Sequence, residues 1–416
     1  MAGKTRPGTA RDAWARPDYR RIYLASLFSN TGRWMQNTSL GVLAWELTES
    51  PTYLGALVFA NLGPLAVLSL VGGSLADTAD RRRLLIATQV WQMASSFVLA
   101  AMVLDDQIGK GTLLALVFII GLGQGIYAPV FTSVLPTLAG THNLSAAIAM
   151  NSAQINAARI VGPALGGWLT SRVGFGEVFA INAATYVVVI AALWITKLPA
   201  ANAVARSFND RIFGGFRIAY RARQVGRPLV IMTTFTFLCL PFIGQLPAVA
   251  EINLGIDAQS TEYGYFYAFF GVGALAGALV SSTVFLRIDR NALLRFTFVG
   301  FAGGLAWLSI VDDIAVAYWA ITVVGFFYFI LPVVLSTAWQ EHVDNAVRGR
   351  VAALWVLSFG GAVPIANIIA GPIVEATSLT AVMLFGAAAA MGLAVYARLP
   401  DGPIVGEEVL DAPPGA

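Results

Sequence analysis

The sequence predicts an all-α membrane protein, with twelve transmembrane helices in two pseudo-symmetric six-helix bundles and both termini in the cytoplasm. Three observations carry this reading. Hydrophobic residues make up 57% of the 416 and charged residues only 12%, against about 25% charged in soluble domains. The apolar residues gather into twelve runs of the ~20 residues that a bilayer core requires, and Lys and Arg concentrate on alternate connections between the runs. The same composition excludes a soluble enzyme, an intrinsically disordered chain and a disulfide-stapled fold, since Cys239 is the single cysteine.

In chain order the runs are 21–47, 53–76, 84–104, 111–138, 146–171, 178–198, 228–250, 262–286, 293–311, 314–339, 350–376 and 378–398. Most are separated from the next by charged residues; the connection 139–145 carries none. Several carry Gly or Pro inside, as at Gly63-Pro64, Gly121 to Gly125, Gly162-Pro163 and Pro364, which lipid-embedded helices tolerate better than soluble ones. With the N-terminus inside, 22 of the 26 Lys and Arg residues lie on cytoplasmic segments and only Lys110 and Arg172 on outer loops. The first run is too long for a signal-peptide core and lacks a small-residue cleavage site.

The longest polar interruption, 199–227, divides the chain into a cytoplasmic tail (1–20), a first bundle (21–198), a linker, a second bundle (228–398) and a second cytoplasmic tail (399–416). A shift of 209 residues superposes the halves. It places Gly55 on Gly264, Asp80-Arg81 on Asp289-Arg290, Leu84-Leu85 on Leu293-Leu294 and Gly162-Pro163 on Gly371-Pro372. Parallel six-span repeats put a substrate cavity at their interface near mid-membrane. In the linker, Phe208, Ile212, Phe213 and Phe216 recur at helical spacing beside Arg211, Arg217, Arg221 and Arg223, the pattern of an amphipathic helix on the inner leaflet. The tails, 1–18 and 401–416, have the composition of disordered segments.

Two cations fall inside spans. A charge near the bilayer centre costs at least ~2.5 kcal/mol, so Arg33 and Arg159 are candidate functional residues. Asn30, Arg33, Trp34 and Asn37 share one helix face, as do Ser152, Asn156 and Arg159, because neighbours on a helix lie three or four residues apart. Gln124 and Tyr127 join them in the fourth run, and Phe235, Gln245, Tyr267, Tyr328 and Trp355 are candidates for the opposite wall of a cavity. Two guanidinium groups without a buried acid favour anionic cargo, since Arg makes forked bonds to carboxylate, phosphate or catecholate oxygens. No Asp, Glu or His lies mid-span. Asp77, Glu46, Glu251 and Glu375 lie near span ends, and His142 and His342 in inner loops.

The stretch GGSLADTADRRRLL (72–85) resembles the loop 2–3 signature of the Major Facilitator Superfamily, with Gly73, Leu75, Ala76, Asp77, Arg81 and Arg82 on the pattern and Thr78 and Asp80 off it. ARIVGPALGGW (158–168) is similar to the core of the superfamily's antiporter signature, without its further upstream glycines. SNTGRWMQ (29–36), WELTESPTYLG (45–55), the run from 135 to 167, GFRIAYRARQVGRPL (215–229) and WQEHVDNAVRGRVAAL (339–354) narrow the resemblance to the enterobactin-exporter-like branch, the transmembrane secretion effectors. In place of the Arg usual in the fourth span, this chain has Gln124.

The resemblance implies the superfamily's fold in a bacterial cytoplasmic membrane, and a monomer that works by alternating access. It assigns a conformational latch to Gly73, Asp77, Arg81 and Arg82 and a hinge to Gly162, Pro163, Gly166 and Gly167. It implies export of a small amphipathic molecule, favoured as an anionic, siderophore-like compound, by proton antiport. Macrolide or multidrug efflux, lysophospholipid transport and a non-transporting sensor are the alternatives. The chain has no phosphate-cradling loop, no metal-ligand cluster and no nucleophile grouping. The expectation is therefore no enzyme activity, no cofactor and no nucleic-acid partner, with the proton gradient as energy source and the lipid bilayer as surroundings.

Overall fold

The computed structural model describes residues 9–198, 208–283, 288–406 and 408, and every regular element among them is a helix. The elements are α1 (Ala10–Trp14), α2 (Pro17–Thr48), α3 (Pro51–Thr78), α4 (Arg81–Leu104), α5 (Lys110–Ala139), α6 (Leu144–Val173), α7 (Phe175–Ile195), α8 (Phe208–Arg221) and α9 (Arg223–Cys239). They continue with the single turn α10 (Leu246–Ala248), α11 (Thr261–Thr283), α12 (Arg290–Ile310), α13 (Ile314–Glu341), α14 (Asn345–Val356), α15 (Ala362–Ala376) and α16 (Leu379–Tyr396). Among the described residues, ten helical segments are both long and apolar enough to cross a membrane. Helices α2 and α6, of 32 and 30 residues, have the length but not the apolarity. These are the two that carry Arg33 and Arg159.

The chain forms two compact units. The first contains residues 1–40 and 67–205; the second contains 41–66 and 206–416. Residues 41–66, the far ends of α2 and α3, therefore group with the second half of the sequence rather than the first. The 209-residue repeat has a physical counterpart inside each unit. Asp80 accepts the Arg83 amide at the start of α4 (3.1 Å), and its repeat mate Asp289 accepts the Ala292 amide at the start of α12 (2.8 Å), both satisfying an orphan N–H of a helix N-terminus.

In the first unit, α4 packs between α5 and α7, with Tyr19, Ile22, Val130, Val134, Leu138 and Val189 in the core at one end. A side chain at Gly32 would meet Asn182 and Thr185, so this glycine sets the approach of α2 to α7. There Asn182 donates to Gln36 (2.7 Å), and Tyr186 donates to Gln92 (3.3 Å). Such interhelical hydrogen bonds are the alternative to polar groups stranded in hydrocarbon.

In the second unit, α11 and α13 cross almost backbone to backbone. A Cβ on Gly273 would lie 2.0 Å from the Thr322 carbonyl oxygen, on Gly277 2.1 Å from that of Phe326, and on Gly325 2.1 Å from that of Phe270. The segment 41–66 is held by polar contacts of the same unit. The Trp45 indole donates to Glu251 (2.6 Å), whose other oxygen accepts the Ala258 amide. Glu375 accepts the Ser50 hydroxyl and the Thr52 amide, which places a carboxylate at the positive N-terminus of α3. Gly55 lies against the Asn367 carbonyl and Gly371 against Thr52.

Two tail readings are corrected. Residues 9–18 are ordered: Thr9 and Asp12 form a capping box at α1, the Thr9 hydrogen bonds hold the Asp12 carboxyl below its usual range, and Ala13 is buried. At the other end, Val405 is buried and pairs with the chain at 342–344, its amide donating to His342 (2.8 Å) and its carbonyl accepting from Asp344 (3.0 Å). The linker helix forms as expected from 208, and one face of it packs on α14 while Phe216 and Tyr220 stay exposed. Ile218 is fully buried with Val347 and Val351, and Gly215 sits against the Arg350 carbonyl of α14. The side chains of Phe208, Ile212 and Phe213 lie outside the described residues.

At the α11–α13 crossing, Gly325→Ala must separate the two backbones, at the ~1–3 kcal/mol of an overpacked interior. Gly303, with open space around its Cβ position, is the control. The expected outcome in detergent is a lowered thermal midpoint or no folded protein for Gly325→Ala and an unchanged midpoint for Gly303→Ala.

Candidate functional site

The first unit holds a small polar chamber. Ser26, Ser29, Asn30 and Arg33 enter it from α2, Gln89 and Gln92 from α4, Gln124 and Tyr127 from α5, and Tyr186 from α7, around a cavity of about 10 Å³, the room of about one water. Helical spacing brings the α2 set together, since 26, 29, 30 and 33 lie on one face. Among the described residues the lining contains amides, hydroxyls and one guanidinium, and no carboxylate. Arg33 donates to Asn30 Oδ1 at 2.9 Å; its ionisable neighbours are Tyr186, Tyr127 and Arg159. Among the described residues Arg33 forms no ion pair. The Gln89 Oε1 and Gln92 Nε2 atoms are buried without hydrogen-bond partners. Buried polar atoms in that condition cost ~1–3 kcal/mol each, so the chamber has unmet capacity for both donors and acceptors.

Beside the chamber, the Arg159 guanidinium lies over the Trp34 ring, 4.9 Å from its centroid. The glycines of α6 make this contact possible. A Cβ on Gly162 would lie 2.4 Å from Trp34 Cβ, and one on Gly166 2.9 Å from the Met35 carbonyl, while Ser39 and Thr170 hydroxyls meet at 2.8 Å further along. Pro163 and Gly167 are buried in the same stretch. Of the four residues read as a hinge, Gly162 and Gly166 lie against the backbone of α2.

Of the residues singled out from sequence, Asn30, Arg33, Gln124 and Tyr127 come together in the chamber, and Trp34 and Arg159 stack at its side. Asn37 is half-buried, Asn156 donates back to the Ser152 carbonyl of its own helix (2.9 Å), and Ser152 is exposed. Sequence reasoning missed Ser26, Ser29, Gln89, Gln92 and Tyr186. A signal existed for the glutamines: Gln89, Gln92 and Ser96 recur at three and four residues within an apolar run.

The remaining candidates belong to the second unit. Phe235 is fully buried in an aromatic core with Phe298 and Phe301, and Gln245 is fully buried and donates to the Pro51 carbonyl (3.0 Å). Tyr267 and Tyr328 both pack against Phe270, and Trp355 packs on Trp339. In the latch segment, Arg82 donates to the Leu193 carbonyl (3.0 Å) and to that of Trp194, both at the C-terminal end of α7, where a cation complements the helix dipole. Arg81 lies in the first turn of α4. The surroundings of Gly73 and the side chain of Asp77 lie outside the described residues.

Among the described residues, ten helices long and apolar enough to cross a membrane and a polar chamber among the helices fit a multi-pass membrane transporter, and the comparisons agree. The family model of the transmembrane secretion effectors matches residues 12–402, and the chain belongs to that family of the Major Facilitator Superfamily. It is 22% identical over 344 residues to the enterobactin exporter EntS of Escherichia coli O1:K1, covering 82% of this chain and 81% of that one; the EntS of Shigella boydii serotype 18 gives the same figures. Among solved structures, the nucleoside transporter NupG superposes with a TM-score of 0.73 at 12% identity, covering 91% of this chain and 97% of NupG. A POT family transporter in complex with 5-aminolevulinic acid gives 0.72 at 12% identity, with 91% and 94% covered. These likenesses are of fold.

A guanidinium held without a counter-charge burdens the fold, since desolvating a charge is repaid only by a partner. Arg33→Met removes that burden. The expected thermal midpoint of the purified variant equals or exceeds that of the parent; a drop of several degrees would make Arg33 a structural residue instead.

Proposed function

We propose that the chain is a secondary active exporter of small amphipathic organic anions, siderophore-like in chemistry, working by alternating access in a bacterial cytoplasmic membrane. The observation that carries this is Arg33 in a chamber of amides and hydroxyls with no ion-pair partner among the described residues. A site with an unneutralised guanidinium and unmet hydrogen-bonding capacity favours a ligand that brings its own negative oxygens. The relationship to proteins named as enterobactin exporters points to the same class of cargo. In this reading α2 and α6 also span the bilayer, making twelve spans with both termini cytoplasmic. Their polar faces are the reason that apolarity alone does not single them out.

Proton antiport supplies the energy in this reading. Glu46 and Glu251 are the carboxylates offered for it: Glu46 lies near Glu251 and Asp257, and Glu251 holds Trp45. Exchange of a proton for an anion at alternating faces needs no resident cofactor, and a single polypeptide suffices.

The test uses inverted membrane vesicles with an imposed inside-acid gradient, recording proton release as 2,3-dihydroxybenzoate, a macrolide, a cationic dye or a lysophospholipid is added. The expected result is release with the catechol acid alone. Arg33→Gln should raise the concentration for half-maximal release 10- to 100-fold, the ~1.5–3 kcal/mol of a charged hydrogen bond. Release with the macrolide or dye alone, or full activity in Arg33→Gln, would overturn the anion reading. Tracer uptake without proton release would overturn the coupling.

A further inference from the structure

With the helices arranged as they are, the chamber has the room of about one water and none for an organic acid. Its polar lining is nonetheless incomplete. The Arg33 guanidinium donates to Asn30 and meets no acid among the described residues. On α4, Gln92 is 1% exposed; its Oε1 accepts the Tyr186 hydroxyl, which leaves the Nε2 donor, without a partner, for the chamber. The hydroxyls of Ser26, Ser29 and Tyr127 line the same space.

These groups have one capacity in common. A guanidinium, an amide N–H₂ and hydroxyls all donate, and donors gathered around one small space hold a negative ion. Size narrows the choice of ion. Carboxylate, phosphate and sulfate each need several times the room, whereas a monatomic halide is close to a water molecule in size, and chloride sheds its hydration far more readily than fluoride. Water itself is the competing occupant. It could bridge Gln92 Nε2 to the unpartnered Gln89 Oε1, but it brings no charge, and an unanswered cation within a span is costly. A halide answers that charge. The Gln89 amide, whose nitrogen and oxygen ends have nearly the same shape, joins the donors by turning over.

We infer that the chamber is a chloride site, with Arg33 and Gln92 Nε2 as its principal ligands. The inference rests on the anion-exporter reading for the cargo and adds a regulation of the same site: chloride occupies Arg33 while the helices are close, and an organic anion must displace it when they part.

The full-length protein, purified into potassium gluconate, tests this by equilibrium binding of radiolabelled chloride and by thermal melts in chloride, bromide or sulfate at constant ionic strength. The expected result is saturable binding of one chloride per chain, and a midpoint raised by chloride and bromide but not by sulfate. Arg33→Gln should abolish both. Gln92→Leu should weaken chloride about tenfold, the effect of one charge-assisted hydrogen bond. Because that variant also strands the Tyr186 hydroxyl, its chloride affinity is the readout and not its midpoint. No saturable binding to the parent, binding that survives Arg33→Gln, unchanged affinity in Gln92→Leu, or an equal response to sulfate would overturn the chloride site. 2,3-Dihydroxybenzoate should displace the bound chloride competitively. If chloride binds with the expected Arg33 dependence and the catechol acid neither displaces it nor is transported, the exporter reading falls and the chloride site stands. Arg33-dependent transport of the catechol acid without chloride binding gives the reverse.

Discussion

Helices in a bilayer gain nothing by hiding apolar surface from one another, because lipid tails are as apolar as leucine; their association rests on close van der Waals contact and interhelical hydrogen bonds. This chain meets that constraint with glycine. Gly162 and Gly166 bring α6 onto the backbone of α2, Gly273, Gly277 and Gly325 join α11 to α13, and Gly55 and Gly371 join α3 to α15. At each crossing the neighbour is mostly a carbonyl or a Cα rather than a flexible side-chain end, so the separation between helices is fixed.

The polar chamber depends on that rigidity. Arg33 can remain without an acid partner because α2 is held on one side by the glycines of α6 and on another by Gly32 against α7 and the Gln36–Asn182 bond. A loosely packed helix carrying a cation would turn to find a carbonyl or water. Placing the charge on an immobilised helix keeps it directed into the chamber; in the anion-exporter reading proposed above, an incoming anion would meet a preorganised donor there. The polar residues of α2 and α6 are thus a consequence of packing as much as of chemistry.

Much of the fold was legible from sequence because its determinants are local. Apolar run length marks the ten helical segments that, among the described residues, are long and apolar enough to cross a membrane. The repeat shows in pairs such as Asp80 and Asp289, which prove to cap equivalent helices, and Gly162 and Gly371, which both sit against a partner backbone. The in-span arginines stand out by their cost. Less legible were contacts between elements distant in sequence. Nothing local to Glu375 says that it holds Ser50 and Thr52, 325 and 323 residues away. Val405 looked like part of a disordered tail because a single buried residue paired with 342–344 leaves no periodic signature. Gln89, Gln92 and Tyr186 escaped because long polar and aromatic side chains scattered through apolar runs resemble ordinary packing residues until the facing helix is known.

Helix α2 is one continuous rod of 32 residues, yet its first part, to Leu40, belongs to one compact unit and the rest, from Gly41, to the other. The two sequence halves look like copies, but they are not interchangeable parts. A first half excised at the central linker would carry away the segment that Glu251, Glu375 and Gln245 hold, and the second half would lose the partners of those three side chains on 41–66. Modularity in this chain is a property of its ancestry in sequence and not of its architecture: a recombinant that swaps halves between relatives must match the 41–66 hairpin to the recipient's second half.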